Sequence, residues 1–454
     1  MTLEEDIVAL RAENAVLRTE LAAAAEAIAR LQARITELEQ RKTPTPGFVK
    51  ANTERKEREG PRKKRAPEHN AGRGRAEPTQ TVQHAYERCP DCGYLLRGHS
   101  VARTREVIDL PPPPPVVVTE HQILKRYCPV CQRWQVPSPD WSGQVLGQGR
   151  LGVRLVSLIA YLRTEARLPV RTIQASLATL HQVHLSTGAI VDLLDRLREA
   201  TTAEREALLA QARASPIAHM DETGWREDGQ NGQVWGLSTP GPAPVRYYHY
   251  EHSRAGEVAT EVLGDFDGHL VSDFYGAYNK YGGKHQRCWV HLLRDLHDLK
   301  KAQADKGEVV AWAQDVRALY DEAQAALQGP TPLTQPQREQ LYRQLEDRAH
   351  VLGLAHAGPA NKEHPCHALC HRLLRHQGEF FQFVRIAGLS ADNNAAERML
   401  RPLVITRKIS GGSRTPQGTA TRMALSTLFG TWKARGLNTF QACLSLLHSA
   451  LPQI

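Results

Sequence analysis

Three acidic side chains stand out by their surroundings. Asp221 closes an apolar run in AHMDETGW, Asp273 does the same in LVSDFYGAY, and Glu397 lies among small residues in LSADNNAAERMLRP. In that last stretch Asn393 and Asn394 precede Glu397 by about one helical turn and Arg401 follows by one, so the four fall near one face of a helix. Carboxylates at the end of a strand are fixed by backbone pairing yet stay accessible at the sheet rim. Three hard oxygen donors suit magnesium or manganese rather than zinc. Two such ions about 4 Å apart activate a water or a sugar hydroxyl and stabilise the leaving oxygen of an in-line phosphoryl displacement, which is nuclease or strand-transfer chemistry. Arg398, Arg401, Arg407 and Lys408 follow closely enough to meet the backbone whose phosphate is attacked. Each carboxylate alone has a plainer use: Asp221 as a turn residue, Asp273 as a helix cap, Glu397 as the partner of Arg401. Glu222 rivals Asp221, but neighbours on a strand point to opposite faces, so both cannot readily serve one site.

The elements that must position these groups are short strands. PIAHMD, QVWGLSTP and VRYYHY, separated by GQNG and GPAP, read as a meander of hairpins. SRAGEVATEVLG reads as a helix, HLVSDFY as a buried strand and HQRCWV as a final strand. Strand-strand-strand-helix-strand-helix predicts an α/β sheet with three antiparallel strands and a crossover, a ribonuclease-H-like order, with 214–291 as the first part of this core. A helical insertion over 292–386, interrupted near GPTPLTQPQ, separates it from the glutamate helix at 387–415. Two helices at about 417–433 and 437–450 finish the chain, within 416–454. Ahead of the sheet, 147–213 read as helical throughout. There TIQASLATLHQVHLSTGAIVDLLDRL suggests a helix, a short turn and a second helix capped near Ser186 or Thr187, either a DNA-binding helix-turn-helix or a plain bundle.

Cys89-Pro-Asp-Cys92 and Cys128-Pro-Val-Cys131 form two CxxC knuckles whose four thiolates could close a tetrahedral structural zinc site within a β-rich module at 81–145. With every position a cysteine, no ligand place stays open for catalysis. The five prolines at 111–115 predict an extended loop between the knuckles, and VVVTEHQILKRY a strand leading into the second. Cys288 and His291 flank Trp289 where a cysteine is usually a small buried hydrophobe. EHPCHALCHRLLRH sets Cys366, His367, Cys370 and His371 at one-turn spacing, which suits metal, but Leu369, Leu373 and Leu374 supply a core stripe and make an ordinary helix the simpler reading.

Residues 1–40 carry an uninterrupted 4-3 apolar spacing. Leu3, Leu10, Leu17, Leu31 and Leu38 fall at d and Ile7, Ile28 and Ile35 at a, the combination that favours two parallel strands, with Asn14 at an a position to fix register. Asp6 with Arg11, Glu13 with Arg18 and Arg34 with Glu39 attract across such a dimer. A single amphipathic helix packed on its own chain would drift off a strict seven-residue repeat. The segment 41–80 is rich in Lys, Arg, Gly and Pro and cannot fold alone; its RKKR (Arg62, Lys63, Lys64, Arg65) lies along phosphates or serves as a solvated linker.

A chain of 454 residues exceeds a single core and predicts about three domains. Its 58 basic against 49 acidic side chains give +9, which favours a polyanionic partner such as nucleic acid. No apolar run approaches bilayer-spanning length and MTLEED is acidic where a signal peptide is basic, so a soluble, cytosolic protein is expected. Eight cysteines in a long intracellular chain do not read as a disulfide framework, so the paired ones point first to metal.

With these residues in view, the chain resembles the transposases of the bacterial insertion-sequence sixty-six family. The resemblance is carried by the heptad seam from Leu3 to Leu38, CPDC and CPVC, MDET at Asp221, SDFYGAY at Asp273, CWVHLLRD from Cys288 and DNNAAERMLRP from Asp392, and runs through almost the whole chain. It implies a leucine zipper, a zinc-binding domain, a helical region and a DDE core of ribonuclease-H-like fold with a helical insertion before the glutamate helix. It implies that Asp221, Asp273 and Glu397 form the DDE triad holding Mg2+ or Mn2+, and it makes His291 a candidate neighbour of that site. The implied activity is cutting at the ends of a mobile element and joining the freed 3′ hydroxyl to target DNA. Its setting is the bacterial cytoplasm at the nucleoid. The partners are double-stranded DNA, a second or further copy held by the zipper, and accessory proteins of the same element. Two rivals are a non-catalytic DNA-binding regulator, against which the three carboxylates speak, and a nuclease without strand transfer. The chain departs from the family pattern at ISGGSRTPQG, where a more apolar, aromatic turn is expected, and in its long basic linker.

Overall fold

The computed structural model describes residues 3–40, 77–113, 115–147 and 149–449. These belong to two compact units, Met1–Pro111 and Pro112–Ile454. In the first, helix α1 (Leu3–Gln40) is continuous, and Leu17, Leu21, Ile28 and Leu31 of its seam are all exposed. The side chains of Asn14, Asp6, Arg11, Glu13, Arg34 and Glu39 lie outside the described residues, as do Arg62, Lys63, Lys64 and Arg65. Later in this unit Cys89-Pro-Asp-Cys92 sits in a tight turn. The Gly93 N–H donates to the Cys89 carbonyl and the Cys89 N–H to the Tyr94 carbonyl, both at 2.8 Å, and Gly93 takes a φ of 74°, open to glycine at little cost.

The second unit opens with a two-stranded antiparallel hairpin, β1 (Arg126–Cys128) and β2 (Arg133–Gln135), around the second knuckle. The strand expected to begin at VVV is absent over 116–125. Val117 and Val118 are exposed and no neighbouring strand offers them a ladder, which β propensity alone cannot replace. Helices α2 (Val153–Thr164), α3 (Val170–His181), α4 (Thr187–Ala200) and α5 (Thr202–Arg213) follow. Ser186 caps α4 by accepting the Ala189 N–H at 3.0 Å. The α4 stripe Ile190, Leu193, Leu194 and Leu197, spaced at helical period, buries in one cluster with Val156, Ile159, Ile173 and Leu177.

The five-stranded sheet has the order β5-β4-β3-β6-β7, from β3 (Ile217–Glu227), β4 (Gln230–Ser238), β5 (Arg246–Glu251), β6 (His269–Ser272) and β7 (Lys284–Arg287). The first three pair antiparallel, while β3 with β6 and β6 with β7 pair parallel, and α6 (Gly256–Leu263) makes the crossover. The chain reverses between β3 and β4 at Asp228 and Gly229, both at positive φ, the backbone of a tight two-residue hairpin. The turn therefore precedes the expected GQNG centre, and β3 runs six residues past Asp221 instead of ending there.

Helices α7 (Trp289–Ala302), α8 (Gly307–Leu327), α9 (Gln335–Leu354), α10 (His367–Arg375) and α11 (Gln382–Arg385) gather a separate core around Trp289, Phe380 and Phe381. The proline-rich interruption ends where Gln337 accepts the Thr334 N–H at 2.9 Å and starts α9. Helix α12 (Asn394–Ser410) returns to the sheet, and α13 (Pro416–Ala434) and α14 (Thr439–Ser449) close the chain. Strand β5 is an edge, and α13 covers it: the N–H groups of Arg246 and Tyr248 donate to Thr431 and Thr427 at 3.0 and 3.1 Å.

Candidate active site

Strand parity decides which acidic groups can meet. Ile217 buries on the side of the insertion core and Trp225 on the side of α12, whereas Ala218 and Met220 face the cluster built on α2–α6. Asp221 shares the parity of Ile217 and Trp225, so it looks toward α12. His219 pairs with Val271 in the parallel register of β3 and β6, and continuing by two residues sets Asp221 beside Asp273, on the same face. Glu222 points the other way. It is held there by Arg254, at 2.6 Å, and by the Tyr278 hydroxyl.

Helix α12 supplies the third group. Met399, Leu400 and Leu403 seat it on Trp225, Val234 and Tyr248, and the approach is close because Gly236, the partner of Asp221 in β4, has no side chain. A Cβ there would stand 3.0 Å from Leu400 Cδ2 and 3.1 Å from Met399 Cε. The start of α12 is tied down by DNN. Asp392 accepts the Asn394 N–H at 3.0 Å, the Asn393 amide donates to the Met220 carbonyl at 2.8 Å, and the Asn393 N–H meets the Cys288 sulfur at 3.2 Å. Cys288 is buried, as expected, and its own N–H donates to the Ser272 carbonyl at 2.9 Å, so β6, α7 and α12 are joined within a few residues of the carboxylates.

The electrostatics report the convergence. Burial pushes the Asp221 carboxyl up, the neighbouring charges of Glu222, Asp273 and Glu397 add to it, and it reaches about 8. Asp273 accepts the Tyr275 N–H at 2.8 Å, and the buried Arg287 donates to its carbonyl at 3.1 Å while pairing with Glu379 of the insertion. His291, in the first turn of α7, places Nε2 3.9 Å from Glu397 Oε1. Among the described residues no ion pair joins Glu397 to Arg401.

The basic residues of α12 divide. Arg398, Arg401 and Lys408 are exposed, and Arg398 also lines a cavity of about 250 Å3 with Arg246, Arg422 and Lys433. Arg407 is buried instead, its guanidinium spent on Thr223 and the Gly224 carbonyl, so it pins α12 to β3 rather than facing solvent. The divergent ISGGSRTPQG turn has a similar use: the Ser413 N–H donates to the Arg226 carbonyl at 2.8 Å and the Asp228 N–H to Ser413 at 3.0 Å. Asn393, expected on the helical face of Glu397, instead stands just before α12 with its buried amide turned to Met220. Arg287 was not legible in the sequence, because its partner Glu379 is remote and nothing local marks it.

At the knuckles, N–H groups of Asp91 and Cys92 hold the Cys89 thiol below its usual range, and those of Cys131 and Val130 do the same for Cys128. The Cys131 N–H lies 3.4 Å from Cys128 Sγ. Such N–H donors favour thiolate, the form that binds zinc, so each pair fits a metal ligand.

Comparison with known proteins agrees with these features. Residues 87–132 match the zinc-finger binding domain of transposase IS66, which supports a structural zinc on this segment. An uncharacterized protein, y4qI, of Sinorhizobium fredii (strain NBRC 101917 / NGR234) is 26% identical over 215 residues, which cover 43% of this chain and 38% of that protein. Among the described residues no helix is long and apolar enough to cross a membrane. Residues 148–421, more than half of the chain and the span holding all three carboxylates, match the transposase IS66 family, and to that family the chain belongs.

Proposed function

We propose that the chain is a DDE transposase with a ribonuclease-H-like core, in which Asp221, Asp273 and Glu397 bind divalent cations, Mg2+ or Mn2+. The observation that carries this reading is geometric: the β3–β6 register sets Asp221 beside Asp273 on the face that α12 covers, and burial, with the charges of Glu222, Asp273 and Glu397 adding to it, lifts the Asp221 carboxyl to about 8. Oxygen donors under that repulsion fit a hard cation. When bound, two such ions supply the charge that activates an attacking hydroxyl and steadies the leaving oxygen.

The chain's own residues do the rest. The order β5-β4-β3-β6-β7 and the parallel β3–β6 register support the ribonuclease-H-like reading and set the two aspartates side by side. Asn393, Asp392 and Arg407 hold α12 so that Glu397 meets them. Arg398, Arg401 and Lys408 grip the DNA backbone near the reacting phosphate. Arg62, Lys63, Lys64 and Arg65 add phosphate contacts, the thiolates of Cys89, Cys92, Cys128 and Cys131 serve the structural zinc, and α1 pairs with a second copy to bring two element ends together.

The test is strand transfer in vitro on labelled element-end DNA, comparing wild type with Glu397→Gln in magnesium and in EDTA. Wild type is expected to cut and join, whereas the variant and the EDTA sample bind DNA but do neither. Cutting without joining would favour a nuclease, and binding by wild type with no chemistry a regulator or a missing accessory protein.

A further inference from the structure

The connection between α9 and α10 carries a second set of metal-ligating side chains, remote in role from the carboxylates. His356, His364 and Cys366 each offer a ligand atom, and these atoms all lie within 4.8 Å of one another. The imidazoles of His356 and His364 stack face to face, with centroids 3.8 Å apart and 6° between planes. Cys366 is fully buried and both histidines are half-buried. The loop is built to hold them: the Asn361 N–H donates to Gly358 at 2.9 Å, the His364 N–H to Asn361 at 2.8 Å, and the His356 carbonyl meets His367 Nδ1 at 2.9 Å.

The surroundings of His364 supply an independent indication. Its Nδ1 accepts the Cys366 N–H at 3.2 Å, so the neutral ring carries its proton on Nε2, which faces Glu308 Oε1 of α8 at 3.4 Å. This is the tautomer a metal-binding imidazole needs: Nδ1 carries no proton of its own, its lone pair now taken by the Cys366 N–H, and Nε2 donates to an outer carboxylate. Cys366 packs in the core with Leu369, Leu373, Phe380 and Phe381, whereas His356 and His364 stand half-buried at its edge, where apolar packing does not call for two stacked imidazoles.

We propose that His356, His364 and Cys366 bind a structural Zn2+, with Glu308 as the outer partner that orients His364 and water in the fourth position. Imidazole and thiolate together select zinc over magnesium or calcium. Metal–ligand bonds of about 2.0–2.3 Å require the donor atoms to draw in by roughly 1 Å, within reach of side-chain rotation. On binding, the Cys366 thiol releases its proton to solvent and its sulfur takes the metal, and the Cys366 N–H contact to Nδ1 gives way to it. The ion would staple the α9–α10 loop to the start of α8. EHPCHALCHRLLRH thus yields a ligand set different from the one its spacing suggests: His364 and Cys366 join His356 from beyond the stretch, while Cys370 turns to the Leu352 carbonyl and His371 meets His367 edge to face.

Metal content per chain tests the proposal, read by mass spectrometry on full-length protein after dialysis in buffered zinc. The Cys89→Ser/Cys92→Ser variant is expected to retain about one zinc, and adding His364→Gln to remove it. In the otherwise unaltered chain, His364→Gln is expected to lower the zinc content by about one, and Glu308→Gln to weaken it by about 10–100-fold without removing a ligand. Co2+ loaded into the knuckle variant should give a thiolate charge-transfer band that Cys366→Ser abolishes. If zinc content is the same with and without His364→Gln in both backgrounds, with circular dichroism showing folded protein, the site does not exist.

Discussion

A carboxyl that keeps its proton to about pH 8 in the folded chain, against an ordinary value of 3.8, binds more protons folded than unfolded. Stability of the metal-free protein must then fall as pH rises from about 4 through about 8, because only the unfolded state gives up that proton readily. Asp221→Asn removes this slope. Denaturant unfolding in EDTA at pH 8 should find the variant more stable than wild type by on the order of 2 kcal/mol or more, although it is expected to lose catalysis. A less stable variant would mean that burial and the neighbouring charges do not hold the Asp221 carboxyl up. Glu379 behaves oppositely: burial raises it, but His376 and Arg287 outweigh burial and hold it at about 2, so its contribution is complete above the ordinary value of 4.5 and is lost as pH falls toward 2. Glu379→Gln strands the buried Arg287 guanidinium and should cost about 3–5 kcal/mol, whereas replacing both partners with apolar residues should recover most of it. Equal losses in the single and double variants would argue that packing, not charge, is what Glu379 supplies.

At the scale of elements, the position of Glu397 depends on how closely α12 lies on β4. Gly236→Val puts branched carbon where Leu400 and Met399 already leave only about 3 Å, so the helix must lift or tilt. The expected outcome is a loss of about 1–3 kcal/mol from overpacking together with weaker Mn2+ affinity in titration calorimetry, while Gly307→Ala on α8, whose Cβ would meet no atom within 4 Å, should leave ion affinity unchanged. Affinity unchanged in Gly236→Val would show that Glu397 does not need the close approach. This dependence was hidden in the sequence, where a glycine in QVWGLS reads as a weak point in a strand, whereas most of the elements were plain. The chain order of strands, the crossover helix, the Ser186 cap and the helical run expected from Leu292 follow from local period and capping chemistry, although β7 ends at Arg287 and the helix already starts at Trp289, inside the expected HQRCWV strand. Other features depend on tertiary contacts. Strand β3 extends beyond Asp221 because β4 continues to pair with it as far as Gln230, and the chain reverses at Asp228-Gly229 rather than at the centre of GQNG. Residues 116–125 stay unpaired because propensity does not supply a neighbour. Arg407 belonged by charge to a DNA-facing set, yet its place in the helical period carries it inward to β3.

At the scale of the whole molecule, the proposed reaction joins two element ends at once, and the proposed means is α1. Its described seam residues Leu17, Leu21, Ile28 and Leu31 are 55%, 74%, 56% and 64% exposed, so the helix meets no partner within its own unit that would cover them. A continuous 38-residue helix whose apolar positions recur at seven residues gains stability by burying that stripe against a second copy, at about 25 cal/mol per Å2 of apolar surface removed from water. Leu17→Lys/Ile28→Lys puts a charge at one d and one a position and should prevent that burial without touching the second unit. Sedimentation equilibrium should then find wild type dimeric or larger and the variant monomeric. In DNA binding, the variant should still shift a single element end but no longer retain two ends in one complex, and its affinity for one end should fall only modestly because the phosphate contacts remain. A monomeric wild type at concentrations that support pairing of ends would overturn the role of α1, and assign that task to other surfaces of the chain or to the accessory proteins.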